Sequence, residues 1–265
     1  RGVADEREVR GRLHRGDLLM PYLIGDGAAA KPLVKMLIGN GAGAAVPIQK
    51  IMKGTGAGAA EVWPGKRVFR DDFVLTNAYL EATKWTTIGT SPWLLCQDGG
   101  NGFCFGNTTD GNRPSQAVWK EDTATWEQYV KAELGDVGST GLGMWLQVHS
   151  AENSDSYVGI QWNDSTLTLF NAPGGGASTV NRGTATETRV VGKVVELRAE
   201  KNPTTGIFTY RVLMNGVQKI TWTDTSNIIP KPAGNKKVGW GARTNRSFGS
   251  TKYSPRLAWW EGGDI

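Results

Sequence analysis

The chain has 265 residues, 39% of them hydrophobic, with 36 glycines, 11 tryptophans and a formal net charge of +5. That is room for one large domain and an appendage. It shows no apolar run near the ~18 residues of a membrane span and no visible secretory leader at its start.

The charge is uneven. Residues 1–70 hold 12 Lys/Arg against 6 Asp/Glu, and the remainder 18 against 19. Residues 1–19 form a basic N-terminal arm in which Asp5, Glu6, Glu8 and Asp17 interleave with the arginines. No Phe, Tyr or Trp is present there to stack bases, so docking on an acidic protein neighbour fits better than nucleic acid. Arg15-Gly16-Asp17 matches the integrin tripeptide without any supporting context.

Residues 20–64 repeat. Pro32-Leu33-Val34-Lys35-Met36-Leu37-Ile38-Gly39-Asn40-Gly41-Ala42-Gly43-Ala44-Ala45 matches Pro47-Ile48-Gln49-Lys50-Ile51-Met52-Lys53-Gly54-Thr55-Gly56-Ala57-Gly58-Ala59-Ala60 at an offset of 15 residues. A looser copy begins at Pro21. Each unit reads as a short apolar strand followed by a Gly/Ala turn, too small to bury a core alone. Its open edges must be paired or covered, so the segment is expected to assemble between chains. Gly39-x-Gly41-x-Gly43 lacks the following helix and the lysine placement of a phosphate loop.

Residues 65–265 hold ten of the eleven tryptophans and read as one β domain. Period-2 patterns predict strands over 125–134, 143–149, 157–162, 165–170, 193–199, 238–243 and 255–261. The firmest is a hairpin, 210–214 and 217–222, joined by Asn215-Gly216, whose positive φ angles suit a type I′ turn. No stretch has a helical period. So many antiparallel strands predict an all-β, two-sheet jelly-roll sandwich preceded by short Gly/Ala-rich β repeats.

Alternation puts Met144, Leu146 and Val148, with Val158, Ile160 and Trp162, on one apolar face for sheet packing. The other face offers Trp145, Gln147, His149, Tyr157 and Gln161. With Trp240 these are the candidate carbohydrate-binding residues, aromatics stacking on sugar rings while Gln and His bond hydroxyls. Trp126, Trp162 and Trp222 fit core positions. Cys96 and Cys104 flank a turn; a hairpin disulfide and two thiols are both open. Asp98, Asn101, Asn107 and Asp110 crowd a Gly-rich loop, where turn chemistry is favoured over calcium. No metal site or cofactor is expected, since two histidines and two cysteines lack ligand spacing.

Val68-Phe69-Arg70-Asp71-Asp72-Phe73, then Trp85-Thr86, then Gln128-Tyr129-Val130-Lys131-Ala132-Glu133-Leu134 resemble the concanavalin A-like lectin/glucanase domain. More narrowly, the chain resembles the version in minor tail proteins of phages that infect actinobacteria. There, short repeats ending in Val-Trp-Pro (here Val62-Trp63-Pro64) precede the lectin-like domain, and a Trp-rich strand with Gly-Gly-Asp-aliphatic closes it (here Trp259-Trp260-Glu261-Gly262-Gly263-Asp264-Ile265). The resemblance implies a virion protein, a minor tail or fibre component assembled in the host cytoplasm as a homotrimer. It would contact other tail proteins and attach to host cell-wall glycan, without nucleic acid or membrane insertion. The alternatives are a purely structural head or tail decoration and, more distantly, a glycan-degrading enzyme.

The glucanases of that fold carry Glu-x-Asp-x-(x)-Glu on one strand, with carboxyls ~5–5.5 Å apart for retaining chemistry. No such run is present. Glu121 and Asp122 are adjacent, Glu133 and Asp136 straddle a strand end, and Glu196 and Glu200 lie ~13 Å apart at ~3.3 Å per residue. The expectation from sequence is therefore no catalytic residue and no enzyme.

Overall fold

The computed structural model describes residues 37–39, 45–47, 50–54, 59–64, 66–76, 78–88, 95–104, 111–153, 155–174, 178–229, 235–248 and 250–265. The basic arm, residues 1–19, lies outside them. Contacts divide the chain into two compact units, Arg1–Gly65 and Lys66–Ile265.

In the first unit β1 (Leu37–Gly39) pairs antiparallel with β2 (Ala45–Pro47), and β3 (Lys50–Gly54) with β4 (Ala59–Pro64). In each of the two described copies the apolar run thus pairs with a strand that follows it in the same chain. This corrects the reading of one strand per repeat awaiting a partner from another chain: the first partner comes from the same chain. Gly39 faces Ala45, whereas Gly54 faces Ala59 and not Ala60, which lies 15 residues after Ala45. The copies therefore differ by one residue in register, a slip that exchanges the faces of one arm.

The second unit begins with β5 (Val68–Asp71), β6 (Ala78–Tyr79), β7 (Trp85–Ile88), β8 (Leu95–Gln97), β9 (Gly102–Cys104) and β10 (Gly111–Trp119). It continues with β11 (Gln128–Asp136), β12 (Gly143–Ser150), β13 (Ser156–Asn163), β14 (Thr166–Pro173) and β15 (Val180–Thr186). Then follow β16 (Val194–Lys201), β17 (Phe208–Met214), β18 (Val217–Thr223), β19 (Lys237–Ser247), β20 (Ser250–Lys252) and β21 (Arg256–Asp264). Among the described residues they form two antiparallel sheets. An eight-stranded sheet runs β15-β14-β13-β12-β19-β10-β7 with β20 on β19; a nine-stranded sheet runs β18-β17-β16-β11-β21-β9-β8-β6 with β5 on β21. The all-β jelly-roll sandwich expected from the sequence is the fold observed.

The core lies between the sheets. The eight-stranded sheet supplies Met144, Leu146, Val148, Val158, Ile160, Trp162, Leu167, Leu169, Val238 and Trp240. The nine-stranded sheet supplies Val130, Ala132, Leu134, Val195, Leu197, Tyr210, Val212, Leu257 and Trp260. Strand alternation sends every second residue inward, so both sheets bury a continuous apolar face. Trp162 is core; Trp126 and Trp222 are half-buried at its margin. The outer face of the nine-stranded sheet is polar, with Glu261 gathering Lys131 at 2.8 Å, Arg70 at 3.3 Å and the Tyr129 hydroxyl at 2.7 Å.

Two sequence motifs prove to be closures of this sandwich. Buried Asp71 accepts the Trp85 indole N–H at 2.6 Å and the Phe73 amide at 3.0 Å, which ties the Asp-Asp-Phe opening to the Trp-Thr pair. The Asp264 carboxylate accepts the amides of Arg67, Ala124 and Thr125 and the Thr125 hydroxyl. A Cβ on Gly263 would stand 2.0 Å from the Arg67 carbonyl oxygen, so only glycine lets the terminal strand approach.

Candidate functional site

The outer face of the eight-stranded sheet carries a groove of about 430 Å³. Its floor is one row of residues across six strands, fixed by register. Trp145 on β12 stands opposite Gln161 on β13 and Gly241 on β19; Gln161 stands opposite Thr168 on β14. Gly241 stands opposite Gln116 on β10, and Gln116 opposite Ile88 on β7. Tyr157, Phe170, Asn181, Pro114 and Arg243 line the walls.

Glycines shape the floor. A Cβ on Gly241 would lie 2.2 Å from Cζ2 of Trp145, and one on Gly159 would lie 2.6 Å from Cζ of Phe170. Each ring therefore packs against the bare backbone of its neighbour, where a side chain would collide with it. Tyr157 meets Phe170 edge-on, with centroids 5.7 Å apart. Burial pushes the Tyr157 phenol up to about 12, although the nearby Arg243 charge opposes that shift. The lining thus combines an aromatic floor, amides and hydroxyls, and one cation.

Of the residues expected to bind, Trp145, Tyr157 and Gln161 meet in this groove. Trp145 is only 6% exposed, a floor and not a projecting platform. Three others are placed differently. Trp240 is fully buried between the sheets, edge-on to Phe73 at 5.7 Å, because its register partners Leu146 and Ala117 both face the core. His149 sits at a register shift between β12 and β19 with φ 51°, and this bulge cancels the alternation that would have turned it outward. Its Nε2 donates to the Trp126 carbonyl at 2.6 Å and its Nδ1 meets the Tyr210 hydroxyl at 3.0 Å. Gln147 shares the groove face but is completely buried beside Gly239 and Ser150.

Sequence reasoning missed Arg243, Gln116, Thr168, Phe170 and Asn181. One signal was available: in Val238-Gly239-Trp240-Gly241-Ala242-Arg243 the apolar residues alternate with Gly, Gly and Arg, a pattern that marks a face other residues approach closely.

The disulfide alternative is excluded by register. Cys104 pairs with Leu95 and faces the core, whereas Cys96 pairs with Phe103 and faces outward, so both remain thiols. Burial pushes Cys96 up to about 11 and Cys104 to about 12. Asp98 and Asn101 close the intervening turn through mutual backbone hydrogen bonds. Asn107 and Asp110 lie outside the described residues.

A protein-family model with the description Domain of unknown function (DUF7257) matches residues 57–265. No curated protein sequence matches the chain. Among solved structures, an endo-1,3-β-glucanase from Streptomyces sioyaensis aligns with TM-score 0.51 at 9% identity, covering 74% of this chain and 94% of its own. A non-specific endo-β-1,3(4)-glucanase of glycoside hydrolase family 16 aligns with TM-score 0.51 at 8% identity, covering 76% and 95%. These similarities establish the concanavalin A-like fold.

They also correct one expectation. The absence of a local carboxylate run led to the reading that the chain is not an enzyme, yet these neighbours of the same fold are glucanases. A carboxylate set need not be contiguous in sequence: Asp122 and Glu152, 30 residues apart, line a second depression that adjoins the groove at Ile88.

Proposed function

The chain belongs to the family described as Domain of unknown function (DUF7257), and from the groove itself we propose that its β-sandwich unit holds a glycan strand against the eight-stranded sheet. The observation that carries this is the row Thr168, Gln161, Trp145, Gly241, Gln116, walled by Tyr157 and Phe170. A sugar ring has apolar C–H faces and a rim of hydroxyls. An aromatic floor flanked by side-chain amides and hydroxyls matches both. The shared fold with glucanases supports the reading by analogy.

The test is binding of the full chain to β-glucans and actinobacterial wall preparations, with reducing ends assayed in the same tubes. Wild-type retention that falls with Trp145→Ala or Gln161→Ala supports a glycan groove. Retention unaffected by both substitutions sinks it. Release of reducing ends, abolished by Asp122→Asn or Glu152→Gln, would identify a glycan-cleaving enzyme using the adjoining depression.

The biological setting we infer is a virion: a minor tail or fibre component that presents the sandwich to host-surface glycan. The repeats of residues 20–64, the Val62-Trp63-Pro64 junction and the closing Trp-Trp-Glu-Gly-Gly-Asp-Ile support it through their resemblance to phage tail proteins. Among the described residues each hairpin is a two-stranded pair, and strand edges left open there are available to another copy, in keeping with a homotrimer. Three shallow grooves held together would bind a polymer far more tightly than one. Immunogold labelling of particles from a phage carrying this gene, with label on the tail, is the expected result; unlabelled particles would remove the virion setting.

A further inference from the structure

Resting on the glycan reading, we infer that the groove selects an acidic glycan, one whose sugar or linkage carries a carboxylate or phosphate, and that Arg243 is the residue that reads the charge.

Arg243 lines the groove on β19, two residues beyond Gly241. Among the described residues its side chain makes no ion pair and no hydrogen bond, and its Nε is buried without an acceptor. Other arginines of the sandwich show what is missing. Arg189 reaches Asp164, Arg198 reaches Glu196 at 2.7 Å, Arg211 reaches Glu200 at 2.8 Å, and Arg70 reaches both Asp72 and Glu261. Arginines without a carboxylate are held in other ways: Arg67 donates to the Asp122 carbonyl, Arg182 donates to Asn171 and lies over Trp222, and Arg256 lies over Phe103, so Arg243 differs from these three in having a buried Nε with no acceptor.

The residues around Arg243 offer no substitute. The lining is Ile, Pro, Ser, Gln, Trp, Tyr, Thr, Phe and Asn, without Asp or Glu. Tyr157, the other titratable residue of the lining, is held protonated by burial. A half-buried guanidinium with open donors and no counter-ion is a site for an anion brought by the ligand. Its planar fork suits a carboxylate or a phosphodiester. A neutral glucan offers hydroxyl oxygens as acceptors but no counter-charge, whereas a carboxylate or phosphate supplies both, and charge-assisted hydrogen bonds are the stronger kind.

The geometry also assigns a division of labour. Trp145, Gln161 and Thr168 lie in the row that contacts the sugar itself, and Arg243 sits one step along β19 from it, at the wall. Loss of the row should affect every glycan, and loss of Arg243 only charged ones.

The experiment is calorimetric titration of the full chain with three probes: laminarihexaose (neutral), hexagalacturonate (carboxylate) and a glycerol-phosphate teichoic acid fragment (phosphodiester). The expected result is that one charged probe binds at least about tenfold more tightly than laminarihexaose, a difference that Arg243→Gln abolishes and Arg243→Lys partly retains. That advantage should shrink between about 0.01 M and 1 M salt, where the Debye length falls from about 30 Å to about 3 Å. The salt series uses wild-type protein, so it stands even if a variant misfolds. Which charged probe wins separates the carboxylate from the phosphate source. Equal binding of all three probes, insensitive to salt, would overturn the acidic-ligand inference and leave the glycan groove intact. No binding of any probe, with wall retention also absent, would overturn both.

Discussion

The indole of Trp145 rests on the backbone of Gly241, where an added Cβ would stand 2.2 Å from Cζ2 and 2.7 Å from Nε1. The two residues are register partners on adjacent strands, so the floor of the groove depends on one residue having no side chain. Gly241→Ala should lift or rotate the indole, cost about 1–3 kcal/mol through overpacking and abolish glycan retention. Urea unfolding followed by wall binding measures both. A variant with unchanged midpoint and unchanged binding would show that the floor is not built this way.

Trp145 and Trp240 should part company on truncation to alanine. Trp240 is completely buried between the sheets, so Trp240→Ala should cost about 3–5 kcal/mol. Trp145 lies outside that inter-sheet core and should cost less, while losing about 1–3 kcal/mol of ligand binding, the size of an aromatic stacking contact. Equal destabilisation with binding intact would place Trp145 functionally with the core.

The Asp264 clamp predicts a C-terminal stability effect. Asp264 is 3% exposed, and its carboxylate collects bonds from Arg67, Ala124 and Thr125. Asp264→Asn keeps the shape but removes the charge and one acceptor, so about 1.5–3 kcal/mol should be lost, the worth of a charge-assisted bond. Chemical denaturation is the measurement; a midpoint equal to wild type would mean the clamp is dispensable.

Alkali should destabilise the sandwich. Burial holds Tyr157 up at about 12 and also raises Tyr129 and Tyr210, against an unfolded value near 10. The folded state keeps these protons more tightly, so the contribution is complete below about pH 10 and is lost as pH rises toward 12. Thermal midpoints should begin to fall near pH 9 as the buried thiols of Cys96 and Cys104 contribute and fall more steeply within that window, less steeply in Tyr157→Phe. A midpoint that holds steady to pH 12 would contradict the shifts.

Assembly can be read by mass. Deleting residues 20–62 should leave a folded monomeric sandwich, while the full chain forms a trimer. Mass photometry of the full chain at micromolar concentration showing only monomer would end the trimer proposal.

The sequence by itself determined what strand alternation can carry. The run Met144-Trp145-Leu146-Gln147-Val148 assigned both faces of β12 correctly, and Asn215-Gly216, both at positive φ, named its hairpin. The sandwich, the inward Trp162 and the groove-facing Trp145, Tyr157 and Gln161 all follow from period two and local turn chemistry. β7, β10 and β15 were not legible, although each lines the groove. Pro114 in β10 argues against a central strand, but it lies beyond the residues that β7 pairs and needs no second hydrogen-bond partner there.

Only the tertiary structure decided the rest, because those features depend on register between distant strands. The bulge at His149 turned a polar residue into the core, and the pairing with Leu146 and Ala117 buried Trp240. Register put Cys96 and Cys104 on opposite faces of their hairpin. It also brought Gln116, Gly241, Trp145, Gln161 and Thr168 into one row from positions spread over 126 residues. Alternation is a property of each strand alone, whereas a binding surface is a property of several strands aligned, and that alignment is set by packing between sheets that no single segment encodes.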